Sequence, residues 1–259
     1  MTTNPQYAPR IAPRVWLGVL GYLIYLAAFF TVWILNGIDY LHIGDDESTL
    51  WRWYVAPLAV GSVAIVAIVS FYGWWRPALF EDGNRVSPKV WILPGLLAAA
   101  AVANLIFGDT SHLTGGMWVL LTIGSLLVGF NEELVTRGQL IVALRSRFGE
   151  RGVWFFSTLL FALLHLPNTL FGTGPVGLLQ VLFTFLAGSV FYLTRRAGGT
   201  LIFAMLLHAL WDFSTFAAIT AITAYAQIGV GVAGVIVALV VTRRSGQTAT
   251  STGAGTART

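Results

Sequence analysis

Two carboxylates stand side by side at Glu132 and Glu133, and an arginine follows at Arg137. Two histidines lie further on, His165 and His208, the second four residues before Asp212. All six fall inside long apolar runs. At bilayer depth an ionisable side chain costs about 2.5–3.5 kcal/mol or more, so each needs a partner or a purpose. If the runs are helical, Glu133 and Arg137 share a face as i and i+4 and can pair. Glu132 is turned about 100° away and has no partner on its own helix. His208 and Asp212 again share a face, and His165 follows Phe161 by one turn. Asn131 and Gln139 add amides of the kind that more often join helices than react.

A glutamate deprived of water can act as a general base near neutral pH. A histidine beside it can share the proton of a water, and a second histidine can donate to a developing oxyanion. Those are the parts needed to hydrolyse an amide with an activated water. Two histidines and two carboxylates equally make up a zinc site with outer support. Spacing alone does not choose between them.

The elements that must position these residues are membrane spans. The chain has 259 residues, 56% hydrophobic and 10% charged, with mean hydropathy +0.76. A soluble domain carries roughly 25% charged residues, and this one could not hide so much apolar surface. Disorder is excluded for most of the chain on the same grounds. Long unbroken runs, rather than short alternating ones, exclude a membrane β-barrel. The expected fold is an all-α transmembrane bundle of about eight spans, near 15–35, 54–75, 90–107, 117–144, 153–169, 176–194, 200–216 and 221–242. Each is close to the roughly 20 residues that a bilayer requires. The four residues Glu132, His165, His208 and Asp212 are expected in the middle third of their helices. Residues 1–14 are expected as a cytoplasmic tail and 15–244 as the membrane domain, with its motif-bearing core at 117–217. The Thr-, Ala-, Gly- and Ser-rich stretch 245–259 is expected to be disordered. The first run is too long for a signal-peptide core and has no clear cleavage site.

With the N-terminus inside, thirteen of the fifteen basic residues fall in cytoplasmic segments and one, Arg52, outside; Arg137 lies within a span. That bias supports eight spans with both termini cytoplasmic. Nine of the ten tryptophans, all but Trp211, lie at span ends, as an aromatic belt would. The net charge of +4 therefore reflects membrane orientation rather than nucleic-acid binding. Arginine supplies 14 of the basic residues, a bias of GC-rich bacterial genomes, and a bacterial plasma membrane is the expected location. The acidic cluster Asp45, Asp46 and Glu47 is read as a solvated loop, and His42 and His112 as solvated loop residues. The chain has no cysteine, which excludes disulfides, thiol nucleophiles and thiolate metal sites.

Three short motifs occur in order. Glu132-Glu133-Leu134-Val135-Thr136-Arg137 reads EExxxR, Phe161 to His165 reads FxxxH, and His208 to Asp212 reads HxxxD. Together they resemble the CAAX protease and bacteriocin-processing family, which includes the type II CAAX prenyl endopeptidases. The resemblance implies an eight-helix intramembrane endopeptidase acting on a membrane-bound protein or peptide. It implies that Glu132 and His165 activate the attacking water, that His208 and position 212 form the oxyanion site, and that Glu133 and Arg137 hold the helices in register, with Phe161 packing or lining the cavity. A divalent metal such as zinc, held by Glu132, His165, His208 and Asp212, is left open by the resemblance. Position 212 is Asp where the eukaryotic-type enzymes have Asn. An ionised aspartate would repel an oxyanion, so Asp212 must be protonated, orient His208 or bind a metal. HExxH, GxGD and GxS patterns of other intramembrane proteases are absent.

The cavity of such an enzyme is expected to open toward the cytoplasm or laterally into lipid. Two other functions compete. A non-proteolytic scaffold or immunity-type member would keep the motifs for stability. A proton-relaying transporter would show paired repeats with broken helices, which the sequence lacks.

Overall fold

Lipid offers no partner to a backbone N–H or C=O, so an apolar run that crosses a bilayer must satisfy its backbone internally as a helix. The computed structural model describes the backbone of residues 8–83 and 85–254, with side chains through Arg243. Eight long helices follow in the expected order: α1 (Val15–Leu35), α2 (Glu47–Tyr72), α3 (Pro88–Phe107), α4 (Gly115–Leu144), α5 (Glu150–Leu170), α6 (Gly174–Gly198), α7 (Ile202–Ala217) and α8 (Ala221–Ala254). No sheet forms among the described residues; Phe80 and Thr200 make an isolated bridge. The tail expected to be disordered from 245 to 259 lies outside the residues whose side chains are described.

Among the described residues seven helices are long and apolar enough to span a membrane, and α7 is shorter, with 16 residues. At 1.5 Å per residue it rises about 24 Å, short of the roughly 30 Å hydrocarbon core. Its C-terminus is finished by another helix. Asn104 of α3, fully buried, donates from Nδ2 to the carbonyls of Ser214 (2.7 Å) and Ala218 (2.9 Å), and accepts from Thr220 Oγ1 (2.6 Å).

The irregularity in α2 follows from proline. Pro57 in α2 cannot donate to the Trp53 carbonyl one turn back. A π-helical turn, Leu50–Val55, precedes it, and the indole of Trp33 in α1 donates to the Trp53 carbonyl at 2.7 Å. Trp53 in turn donates to the Asn36 carbonyl at 2.9 Å. With Trp74 and Trp154 these are buried joints rather than belt residues, so four of the nine span-end tryptophans do not face a headgroup region. Trp16 and Trp51 remain exposed, as a belt requires.

The loops sort onto two faces. On one, the N-terminal segment meets the end of α2 (Ile11 N–H to the Tyr72 carbonyl, 3.2 Å), and the α2–α3 loop that follows meets the α6–α7 turn (Glu81 N–H to the Gly199 carbonyl, 3.0 Å). On the other, the α1–α2 loop meets α5's end (Tyr40 N–H to the Phe171 carbonyl, 2.7 Å), and Thr114 donates to Glu47 at 2.6 Å. Asp46 caps α2, so the acidic cluster is exposed but structured.

The first face is closed by a buried ion network. Glu81 accepts from Arg195 Nε at 2.9 Å and from Arg145 Nη2 at 2.7 Å; Arg145 reaches Glu150 at 2.6 Å, and Arg196 lies 3.5 Å from Glu150. Arg195 also donates to the carbonyls of Ala78 (2.6 Å), Pro77 (2.8 Å) and Arg137. Arg195 and Arg196, expected as loop charges, are thus buried in the last turn of α6, where the helix dipole favours cations. Burial alone would raise the Glu81 pKa, but the two guanidiniums outweigh it and hold the carboxyl below its ordinary value. Removing one member of a buried pair costs about 3–5 kcal/mol. Glu81→Gln should therefore lower the thermal midpoint in detergent markedly at pH 7. The loss should shrink as the wild type is acidified from the ordinary carboxylate range through the lower native value, where protonation of Glu81 removes the same charge.

Candidate active site

Helix α4 supplies the two carboxylates. Its α-helical part ends at Glu133 and a π-helical turn, Leu134–Gln139, follows before the helix resumes. Such turns are frequent at functional sites. Within it Thr136 Oγ1 donates to the Glu132 carbonyl at 2.5 Å. Arg137 Nη1 donates to Glu133 Oε1 at 2.9 Å, the pair that i,i+4 spacing predicts. Both side chains are fully buried.

The same oxygen accepts a second bond from across the bundle. His208 Nδ1 of α7 lies 3.0 Å from Glu133 Oε1, whereas its Nε2 is 3.8 Å from Asp212 Oδ1. The sequence pairs His208 with Asp212; the structure gives the tighter link to Glu133. Glu133 therefore orients a histidine as well as an arginine. Because Glu133 accepts, Nδ1 carries the proton and Nε2 faces the cavity. His165 is fixed in the same sense. Its Nδ1 lies 3.2 Å from the Phe161 carbonyl, which can only accept, so its Nε2 is the free nitrogen.

His165 does not lie mid-helix. The α-helical part of α5 ends at Leu163 and a 3₁₀ turn runs from Leu166 to Leu170. Pro167 has no N–H for the Leu163 carbonyl, so the helix cannot continue through it. The break brings His165 Nε2 to 3.9 Å from Glu132 Oε2, and His208 Nε2 lies 4.0 Å from the same oxygen. That oxygen is buried and has no hydrogen-bond partner. Glu132, His165, His208 and Asp212 thus come together as the motifs imply, around an unpaired carboxylate oxygen.

Aromatic rings hold the imidazoles. Phe161 presents its face to the Arg137 guanidinium at 3.8 Å and stands edgewise to His165 (5.4 Å) and His208 (5.5 Å). Phe191 of α6 stacks on His208 at 4.6 Å and 23°. Nothing in an apolar helix marks Phe191 in advance. Two glycines permit the close approach. A methyl at Gly188 would meet Arg137 and Phe161, and one at Gly129 would meet the Met205 carbonyl and Ala209 of α7. Asn131 and Gln139 are interhelical joints, donating to the carbonyls of Leu58 (2.7 Å) and Gly18 (2.9 Å).

The four groups line a cavity of about 440 Å³, within the range of ligand pockets, with Trp211 among its apolar walls. Its lining reaches Tyr40, Thr173 and Val176, the last 68% exposed. At this mouth Asn168 donates to Gln180 (2.9 Å) and Gln180 to the Tyr40 hydroxyl (2.7 Å). Burial, with Asp212 and Glu132 nearby, pushes the Tyr40 phenol up to about 12, so it stays a neutral hydroxyl. Gln180, a lone amide in an apolar run, was the signal for this latch in the sequence. The mouth lies on the face of the α1–α2 and α5–α6 loops; the N-terminal segment lies on the opposite face. Of the two openings expected, toward the cytoplasm or laterally into lipid, the first is incompatible with the cytoplasmic termini also expected.

Two imidazoles and two carboxylates are donors that zinc accepts, but their spacing is too wide. Ligands about 2.0–2.1 Å from a tetrahedral Zn²⁺ stand about 3.4 Å apart. Here the separations are 3.8–4.0 Å, and among the described residues no three such groups are placed to hold a metal ion. A water, with hydrogen bonds of about 2.8 Å, spans such gaps.

Residues 114–214 match the sequence model of a family described as type II CAAX prenyl endopeptidase Rce1-like. The match begins one residue before α4, ends within α7 and contains every candidate site residue. Over this segment the chain is similar to that family of membrane proteases, the one its motifs resemble. No curated protein matches the chain.

If Gly129 sets the approach of α4 to α7, Gly129→Ala should destabilise by about 1–3 kcal/mol through overpacking. It should also lower any activity that depends on the Glu133–His208 bond. A thermal midpoint in detergent unchanged from wild type would refute this.

Proposed function

We propose that the chain is an intramembrane endopeptidase that hydrolyses a peptide bond of a membrane-anchored protein or peptide. The observation that carries this is the unpaired, buried Oε2 of Glu132 with two ring nitrogens, His165 Nε2 and His208 Nε2, within 4.0 Å. A water held between Glu132 and His165 loses a proton to Glu132 as its oxygen attacks the carbonyl carbon. The proton on Glu132 is then available to the departing amine.

Charge develops on the substrate's carbonyl oxygen, and His208 is the donor placed to meet it. Its Nδ1 is committed to Glu133, so it donates from Nε2 only when both nitrogens carry protons. Glu133, and Asp212 at 3.8 Å, balance the charge of that imidazolium. Asp212 in this reading orients and balances His208 rather than donating to the oxyanion. Arg137 and Phe161 act through Glu133 and the two rings and touch no reacting atom. The reaction is written with water and side chains alone, because the donor spacing suits a bridging water better than a closed metal site.

Wild type and Glu132→Gln, expressed in cells lacking the native copy, should differ in new peptide termini in the membrane fraction. Products should fall by about 10²–10⁴-fold in the variant. Indistinguishable peptide maps, with the cellular phenotype intact, would sink the hydrolytic reading in favour of a scaffold. On the substrate so identified, dialysis against a chelator should leave the rate within about twofold; loss restored by zinc would instead require metal chemistry.

A further inference from the structure

The charges on the two loop faces say which side of the membrane the cavity serves. Some of the basic residues that suggest an orientation are structural: Arg195 and Arg196 are buried and Arg145 is tied to Glu81 and Glu150. Eight others, from Arg10 to Arg243, remain exposed, all on the face that the ion network closes. The face bearing the mouth has one arginine, Arg52, and five acidic residues: Asp39, Asp45, Asp46, Glu47 and Asp109. Exposed lysine and arginine beside span ends stay on the cytoplasmic side, whereas acidic residues contribute little to orientation. The correction for buried arginines therefore leaves the bias in place.

The ion-network end offers no second way in. Glu81 of the α2–α3 loop is buried there with Arg195 and Arg196, and the cavity lining runs instead from Glu132 out to Tyr40, Thr173 and Val176. Of the lining α6 residues, all but Phe191 lie between Val176 and Ala187, toward the mouth-side end of the helix.

We infer that the cavity opens on the non-cytoplasmic side of the membrane. Its substrate is then a segment exposed there or lying just within that leaflet, as in a membrane-anchored protein after translocation. The word substrate rests on the hydrolytic reading above; the sidedness does not.

The absence of native cysteine makes any introduced thiol unique. Three variants suffice: Leu170→Cys, at an 83% exposed position beside the mouth; Thr184→Cys, in the cavity wall; and Ser146→Cys, in the exposed α4–α5 turn on the opposite face. Intact cells are treated with a small membrane-impermeant methanethiosulfonate, and the remaining thiol is titrated after lysis. Leu170→Cys and Thr184→Cys should lose most of their free thiol in intact cells, and Ser146→Cys only after permeabilisation, a difference of at least about tenfold. Reaction of Ser146→Cys, with Leu170→Cys protected, would overturn the orientation. Reaction of Thr184→Cys only after permeabilisation, with Leu170→Cys labelled from outside, would overturn the direction of opening. Neither outcome depends on cleavage, so this inference and the hydrolytic reading fail separately.

Discussion

One carboxylate oxygen, Glu133 Oε1, accepts from both Arg137 and His208 in the dry centre of the bundle. An arginine there without a counter-ion would be expensive, and so would the glutamate. Paired, they still need hydrogen bonds for the remaining polar atoms. His208 supplies one, and its price is that α4 and α7 must come close enough for glycine to be required at 129. From that one contact follow the tautomer of His208, the direction of its free nitrogen and the division of labour between adjacent glutamates. Glu133 is spent on structure, which leaves Glu132 unpaired and facing the cavity.

The sequence shows the eight helices and the four cavity groups plainly, because an ionisable residue in an apolar run is conspicuous. Helical spacing also predicts Glu133 with Arg137. It cannot predict the bond from His208 to Glu133, since that depends on how two helices distant in the chain meet. Nor does it disclose Phe191 or Gly188, which look like any other apolar-helix residues. Arg195 shows a different failure. A basic residue at a span end reads as an orientation signal, and only the fold shows that it caps carbonyls of a neighbouring loop. Pro167 was readable as a helix breaker, yet its effect on the depth of His165 emerges only when the following turn is in place.

The two ends of the bundle are built differently. The end opposite the mouth is held by charges, with Glu81 and Glu150 binding Arg145, Arg195 and Arg196 in one network. The mouth is held by neutral groups, Asn168, Gln180 and Tyr40, with stacked rings of Phe30 and Phe171 behind them. Neutral hydrogen bonds contribute roughly 0.5–1.5 kcal/mol each, less than bonds to charged groups. The mouth is therefore the end that can open locally while the far end stays intact.

Helix α7, with 16 residues, carries His208 and Asp212, and its flank of Ile202, Phe203 and Leu206 is exposed. A hydrophobic segment shorter than the hydrocarbon layer is accommodated by thinning the lipid around it, at a fraction of a kcal/mol per Å. Headgroups and their water are thereby drawn inward beside a helix that carries two of the four cavity groups. Acyl-chain length thus becomes a variable of the site: a thicker membrane strains this flank, and a thinner one lies level with it.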